Sequence, residues 1–204
     1  YEKMGIDIWE VIDAAKSKPF GYMPFYPGPG LGGHCIPIDP FYLTYRARQF
    51  GQQTKFIELA GQINTQMPNH VIDVLENTLK AKFKKTLKGA KVLILGLTYK
   101  KNIDDTRESP AFALLELLKS RGSITAYFDP FVPSIPKTRE HADFAGQKSI
   151  EWSGEELAKY DAAIICTNHD NINYEELVAK SKLIVDTRNA TSLINDKSGK
   201  IIKA

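Results

Sequence analysis

Residues 91–97 read KVLILGL, a short apolar run with β-branched side chains that follows a glycine at position 89. Runs of this kind are typical of strands that are buried on both faces of a parallel sheet. Further apolar runs and helical patterns alternate after it, which predicts a doubly wound parallel sheet and places the chain in the α/β class. The predicted strands after the first are 124–129, 162–166 and 183–187, and the predicted helices between them are 109–121, 153–159 and 174–181.

Residues 1–88 lack this alternation and read as a helical region, so we expect two domains, 1–88 and 89–204. The predicted helices are 5–17, 39–50 and a long amphipathic one over 54–82. Pro68 is expected to bend or break the long helix because it lacks a backbone donor. Asp39 and Pro40 are expected at the N-cap and first helical position of the second helix. Residues 133–148 are the least patterned part, a predicted loop with one short element.

Composition excludes several classes of function. The net charge is only +3 and the basic residues are dispersed, so nucleic-acid binding is not indicated. No apolar run reaches the length of a membrane span, and the N-terminus does not resemble a signal peptide. The two cysteines are far apart, and no cluster has metal-ligand spacing, so no metal site is predicted. A reducing, cytoplasmic setting is the simplest interpretation.

A glycine-rich loop, YPGPGLGGHCIPIDP at residues 26–40, carries the first candidate site. Glycines allow a backbone to approach a ligand closely, and Cys35 follows the last of them with Asp39 four residues later. A lone cysteine is more often a packed apolar residue than a nucleophile, and helix capping alone would explain Asp39. On spacing alone, the loop therefore does not decide between a site and an ordered turn.

A second motif, GLTYKKNIDDTRESP at residues 96–110, lies after the first predicted strand. Together the two motifs resemble those of the UDP-glucose/GDP-mannose dehydrogenase family, and the resemblance extends over essentially the whole chain. The wording GHCIPIDP is more similar to the branch that acts on UDP-N-acetylhexosamines (UDP-GlcNAc, UDP-ManNAc) than to the UDP-glucose branch. The second motif lacks G-x-G-x-x-G, so it does not predict a dinucleotide site of its own.

The resemblance implies an NAD-dependent oxidation of the sugar C6 to a uronate, in which Cys35 forms a thiohemiacetal and then a thioester. It implies that residues 89–204 form a Rossmann-like domain that binds the UDP portion and that the long helix carries the contact of a homodimer or higher homo-oligomer. It also implies that an NAD-binding domain precedes Tyr1. The corresponding lysine, asparagine and glutamate of the family would also lie upstream, so we expect this chain alone to be inactive. The product would enter polysaccharide biosynthesis.

The resemblance also implies roles for individual residues. Asp39 would organise water or proton transfers; its alternative is a helix cap. Lys100 would contact the substrate; its alternative is a surface lysine. Arg107 would reach the pyrophosphate of the cofactor; its alternative is an ion pair with a neighbouring acid. Arg188 would bind the substrate; its alternative is a salt bridge with Asp186. The loop glycines would surround the sugar with backbone donors: Gly28, Gly30, Gly32 and Gly33.

One departure from the family's pattern leaves the identity of the substrate's sugar undecided. Enzymes of the UDP-glucose branch carry an arginine ahead of the cysteine loop, whereas residues 18–20 read Lys-Pro-Phe. Either Lys18 substitutes for it or the N-acetylhexosamine branch builds this side differently. Two alternatives therefore stand beside the first hypothesis: a UDP-glucose 6-dehydrogenase, and a non-catalytic nucleotide-binding or dimerisation module.

Overall fold

The fold is a five-stranded parallel sheet with helices on both faces, preceded by a helical region. The computed structural model describes residues 1–137 and 140–204. The strand order is β2-β1-β3-β4-β5, and every neighbouring pair is parallel. The predicted α/β class and doubly wound sheet are thus confirmed. The strands are β1 (Lys91–Leu95), β2 (Ile124–Phe128), β3 (Ala162–Ile165), β4 (Ile184–Asp186) and β5 (Ile201–Lys203).

Alternate residues of the first strand enter two different cores. Val92 and Ile94 face a core built with the long helix, whereas Leu93 and Leu95 face a core on the opposite side of the sheet. This alternation follows from the two-residue period of a strand, and it explains why the run is apolar at nearly every position. The short strand β5 was not predicted.

The helices begin and end close to the predicted positions. The Asp7 carboxylate accepts a hydrogen bond of 2.9 Å from the Trp9 amide at the N-cap of the first helix. Ser109 caps α4 in the same way through the amide of Ala111, with Pro110 at the first helical position. The helices are α1 (Ile8–Lys16), α2 (Asp39–Gln49), α3 (Lys55–Phe83), α4 (Pro110–Ser120), α5 (Gly154–Leu157) and α6 (Tyr174–Lys180); two short 3-10 helices span Glu2–Met4 and Ala142–Phe144.

Helix α3 is continuous through Pro68, so the helix does not break there, and that part of the predicted bend or break was wrong. A proline inside a helix removes one hydrogen bond, here the one to the carbonyl of Asn64. Pro68 is buried, and both it and that carbonyl lie beside Gly30 of the cysteine loop. Packing against the rest of the molecule therefore compensates for the missing bond. The C-terminal half of α3 packs into the same core as the sheet, through Val71, Ile72, Leu75 and Leu79.

The sequence predicts a loop over residues 133–148. In this loop an isolated β-bridge joins Ser134 to Lys148, and a 3-10 helix spans Ala142–Phe144. The segment therefore contains the short element that was expected, although positions 138–139 lie outside the described residues. No helix among the described residues is long and apolar enough to cross a membrane.

Candidate active site

The sheet has a topological switch point at the carboxyl ends of β1 and β3. From β1 the chain moves outward to β2 and then returns to place β3 on the other side of β1. Leu95 and Ile165 are register partners at the ends of these strands, so segments 96–107 and 166–170 leave the sheet side by side. Ligands of open α/β sheets bind in the crevice at such a point.

Lys100 lies on segment 96–107, and its side chain is exposed. Its ammonium group lies 5.7 Å from the centre of the Tyr99 ring. Its neighbour Lys101 instead forms an ion pair of 2.8 Å with Asp170. Within the part of the chain that the structure describes, Lys100 forms no salt bridge, although its charge helps the Arg107 hydrogen bond to lower the pKa of Asp105. It is therefore the lysine of the pair whose ammonium is not held by a carboxylate.

The cysteine loop lies against this edge of the sheet. The Gly33 amide donates a hydrogen bond of 3.1 Å to the carbonyl of Arg107. A methyl group on Gly32 would come within 2.6 Å of both the Glu108 carbonyl oxygen and the Tyr99 Cβ atom. Glycine is needed at this position because the two backbones touch. The sequence motifs at 26–40 and 96–110 therefore form one continuous surface.

Arg188 joins the loop to the far side of the same edge. Its Nε donates a hydrogen bond of 2.8 Å to the carbonyl of Cys166, at the end of β3. Its guanidinium lies against Gly28 so closely that a methyl group there would clash. The alternative, a salt bridge to Asp186, is not formed between the side chains; Asp186 accepts instead from the backbone amide of Arg188 at 3.0 Å. Arg188 is thus oriented toward the cysteine loop.

The two cysteines have opposite surroundings. Cys35 is exposed, whereas Cys166 is fully buried. Burial raises the pKa of the Cys166 thiol to about 11, since the apolar surroundings disfavour the thiolate. A nucleophile must be reachable by its substrate, and of these two thiols only that of Cys35 is exposed.

Asp39 does not cap helix α2, contrary to the expectation. It is the first residue of the helix, and the N-cap position falls on Ile38, without a side-chain cap. The Asp39 carboxylate lies 3.1 Å from Nδ1 of His34 instead. The two side chains therefore form an exposed pair on either side of Cys35, a partnership that the sequence motif did not reveal.

Arg107 forms an ion pair with a neighbouring acid, which was the alternative to a role in binding the cofactor. Its guanidinium donates to both carboxylate oxygens of Asp105, at 3.0 Å from Nε and 2.6 Å from Nη2. This contact raises the pKa of Arg107 and lowers that of Asp105. The Arg107 side chain remains 77% exposed, so it remains accessible to a larger ligand on the outer side of the site.

Comparison with known proteins identifies the family. Residues 1–66 match the central domain of the UDP-glucose/GDP-mannose dehydrogenase family, and residues 93–193 match its UDP-binding domain. Together the two matches span most of the chain. This chain belongs to the UDP-glucose/GDP-mannose dehydrogenase family.

Several relatives within this family are similar over most of the chain. A UDP-N-acetyl-D-mannosamine dehydrogenase of Methanococcus maripaludis is 31% identical over 92% of this chain, and these residues make up 42% of that protein. A UDP-N-acetyl-D-glucosamine 6-dehydrogenase of Salmonella typhi is 33% identical over 83% of this chain and 38% of its own length. The chain thus spans less than half the length of these relatives.

The solved structure of a UDP-D-ManNAc dehydrogenase from Pyrococcus horikoshii has the same fold. It superposes with a TM-score of 0.78 at 27% sequence identity, covering 98% of this chain and 44% of that one. The resemblance that the two motifs carried in the sequence is therefore confirmed at the level of family and fold.

Two buried residues at the switch point were not predicted as parts of a site. His169 and Asp129 are both inaccessible, and their side chains meet at 3.0 Å. Burial opposes ionisation of Asp129, but hydrogen bonds from His169 and from the Leu97 amide outweigh it and lower the pKa of the carboxyl. The sequence signal was only that Asp129 ends one predicted strand and that His169 lies shortly after another.

Asn189 is a second residue that the sequence did not indicate. Its Oδ1 is buried without a hydrogen-bond partner among the described residues, and its backbone is left-handed at φ 55°. An unpaired buried acceptor is costly, and this one directly follows Arg188. As for metals, no group of three or more ligating side chains occurs within the described residues.

Proposed function

We propose that this chain carries the cysteine loop and the UDP-binding part of an NAD-dependent UDP-N-acetylhexosamine 6-dehydrogenase. The observation that carries the proposal is the docking of the cysteine loop, with Cys35 exposed, onto the switch point beside Lys100 and Arg188. The loop that carries Cys35 thus contacts the Arg188 side chain through Gly28, and through Gly32 it contacts Tyr99, the residue before Lys100. The names of the relatives favour an N-acetylhexosamine over glucose as the sugar.

The diphosphate of the substrate fits the charge distribution of this edge. The Lys100 ammonium forms no salt bridge in the described chain, and an ammonium is a suitable donor to phosphate or sugar oxygens. The Arg188 guanidinium is fixed by the Cys166 carbonyl at the other end of the edge. We propose that the UDP-sugar lies between these cations, with its C6 directed toward Cys35.

The loop glycines contribute to the site by close packing of the backbone, and not simply by donating hydrogen bonds to a sugar. The Gly33 amide is already engaged by the Arg107 carbonyl, and Gly32 is required for contact with Glu108 and Tyr99. Gly28 and Gly30 lie against Arg188 and Pro110 in the same manner. We propose that these glycines bind the substrate mainly by allowing the loop to close on the UDP-binding part, which brings Cys35 to the sugar.

Cys35 would act as a covalent nucleophile on the aldehyde formed when the C6 alcohol is first oxidised. Its thiolate adds to the aldehyde carbon, a C–S bond forms, and the oxygen is protonated to give a thiohemiacetal. Loss of a hydride from that carbon and of the hydroxyl proton yields a thioester. Water then adds, the C–S bond breaks, and the uronate and the free thiol remain. The two oxidations together remove four electrons from the sugar.

Asp39 is the group that we propose to handle protons beside Cys35. Its carboxylate lies 3.1 Å from Nδ1 of His34, the residue that directly precedes Cys35, and it does not cap helix α2. A carboxylate at this place can accept a proton from the thiol or from the attacking water.

NAD supplies the hydride acceptor for both oxidations when it is bound. The residues present fit a supporting role: segment 96–100 has no dinucleotide fingerprint, and the exposed guanidinium of Arg107 can reach a phosphate in a forked geometry. We propose that Arg107 exchanges Asp105 for the pyrophosphate, and that the other contacts with NAD lie on a domain outside this chain.

We further propose that residues 1–88 form the central region, that residues 89–204 form the UDP-binding domain, and that two copies pair through the first half of α3. Phe56, Leu59 and Ile63 expose 89%, 53% and 52% of their surface on that half. Such a row of large apolar side chains on one helix is typical of an interface.

The pairing predicts that Leu59→Lys lowers the sedimentation coefficient from that of a dimer to that of a monomer, because a charge would be buried in the interface. Asn77→Lys, an equally basic change at an exposed position on the same helix, should leave the dimer intact. A monomeric unmodified chain at micromolar concentration would refute the pairing.

The UDP site is tested by calorimetric titration of the chain with UDP. We expect Lys100→Ala to weaken binding about tenfold, which corresponds to about 1.4 kcal/mol for one lost ionic hydrogen bond. Lys101→Ala removes the same charge one residue later, where it is paired with Asp170, and should change the affinity less than twofold. Equal effects of both variants would mean that only the net charge matters, and would contradict the assigned role.

A further inference from the structure

The segment that presents Lys100 is anchored from below by a buried pair of side chains. Asp129 accepts hydrogen bonds from the Leu97 amide at 2.6 Å and from the Thr98 amide at 3.3 Å, with the same carboxylate oxygen that faces His169. Its other oxygen accepts from the amides of residues 131 and 132. Asp129 thus fixes the start of the segment to the end of β2.

His169 fixes the far end of the same segment. Its Nδ1 accepts a hydrogen bond of 2.9 Å from the backbone amide of Asn102. Since that nitrogen accepts, it carries no proton, and Nε2 must be the protonated nitrogen. Nε2 therefore donates to the Asp129 carboxylate at 3.0 Å, with Thr98 Oγ1 at 3.3 Å as a second acceptor. One tautomer satisfies every contact.

The backbone at Asn102 is shaped for this bond. It is left-handed, with φ 63°, a conformation that asparagine tolerates better than most residues. Its side chain donates to Asp170 at 2.6 Å and accepts from the Asp170 amide at 3.0 Å, so the turn is also held at its outer side. The Thr98 hydroxyl donates to the Lys100 carbonyl at 2.9 Å, which fixes the backbone of Lys100 itself.

We infer that His169 is a positioning residue for substrate binding, which acts by holding the 97–102 segment so that Lys100 faces the ligand. The backbone is secured at Leu97, Thr98, Lys100 and Asn102, whereas the Lys100 ammonium forms no salt bridge in the described part of the chain. A cation presented on a fixed backbone binds an anion with less loss of conformational freedom. The inference rests on the proposed function, because it requires Lys100 to contact the UDP-sugar.

Two substitutions separate the two hydrogen bonds of His169. In His169→Asn, the amide oxygen can take the place of Nδ1 and accept from Asn102, while the bond to Asp129 is lost. In His169→Gln, the longer side chain can donate to Asp129, but nothing is left to accept from Asn102. The proposal predicts that the glutamine variant weakens UDP binding about three- to tenfold, and that the asparagine variant restores the affinity to within about twofold.

The decisive experiment is a double-mutant cycle by calorimetry with UDP as the probe. If His169 acts through Lys100, His169→Gln should have almost no further effect in the Lys100→Ala background, because the affected contact is already absent. An equal loss in both backgrounds would overturn the proposal, as would an unchanged affinity of His169→Gln in the unmodified chain. If Lys100→Ala itself does not weaken UDP binding, the proposed role of Lys100 in UDP binding is wrong. That result differs from one in which Lys100 binds UDP but His169 does not position it, so the experiment distinguishes the two failures.

Asp170→Ala provides a second variant in case substitution of the buried histidine prevents folding. Asp170 is exposed, and its side chain contacts the segment through Lys101 and Asn102. Its removal should loosen the same turn, and we expect a loss of UDP affinity of about threefold that vanishes in the Lys100→Ala background. A loss that persists there would count against positioning of Lys100.

Discussion

Replacing Cys35 by serine is expected to lower uronate formation by on the order of a thousandfold or more in the whole enzyme that we propose, this chain together with an NAD-binding domain. A hydroxyl is a far weaker nucleophile than a thiolate at neutral pH, so the thiohemiacetal and the thioester would not form. The first oxidation does not require the covalent bond, and the aldehyde should therefore accumulate. The measurement is product analysis by mass spectrometry alongside the rate of NADH formation.

Cys166→Ala provides the matched control for this experiment. Its thiol is fully buried, with a pKa raised to about 11 by that burial, so we expect its removal to leave the rate of uronate formation nearly unchanged. Alkylation gives an independent reading on the native chain: iodoacetamide should modify the exposed Cys35 and spare Cys166 until the protein is unfolded. Unchanged uronate formation by the Cys35→Ser enzyme would refute covalent catalysis.

Gly96→Ala is expected to destabilise the fold by about 2–5 kcal/mol. Gly96 has a left-handed backbone, with φ 82°, at the end of β1. An added methyl group would clash with the carbonyl oxygen of Thr167 and lie 2.8 Å from its Cα atom. Neither backbone can move easily, because Thr167 Oγ1 donates to the Thr98 carbonyl at 2.6 Å across the same contact. The measurement is the free energy of unfolding in urea.

Gly89→Ala separates the clash from the cost of the backbone conformation. Gly89 has a similar positive φ of 77°, but an added methyl group would meet no atom within 4 Å. We therefore expect this variant to lose only about 1 kcal/mol. If both alanine variants unfold at the same urea concentration, the close approach of the β1 and β3 ends does not determine stability at Gly96.

The regular parts of this fold could be predicted from the sequence because their causes are local. The helix caps at Asp7 and Ser109 are short-range hydrogen bonds. The apolar run at 91–97 indicates a strand that is buried on both of its faces. Pro68 shows the limit of this reasoning. Local propensity favours a break, but contact with the cysteine loop keeps the helix continuous.

The candidate site was predictable in its residues but not in its pairings. The two motifs indicated Cys35 and Lys100, and the structure places both motifs on one surface. That Asp39 would face His34 rather than cap its helix, at 3.1 Å, depends on how the loop closes. The partnership of Asp129 with His169 joins residues 40 positions apart, and no periodicity or local propensity records such a contact.

The location of the ligand is the central claim, and hydrogen–deuterium exchange with and without saturating UDP tests it most directly. Binding should slow amide exchange in segments 28–35 and 96–107 and around Arg188, since these lie along one edge of the sheet. The exchange of α1 and of the first half of α3 should remain unchanged. Protection confined to α1 or α3, or no protected segment at millimolar UDP, would contradict the account.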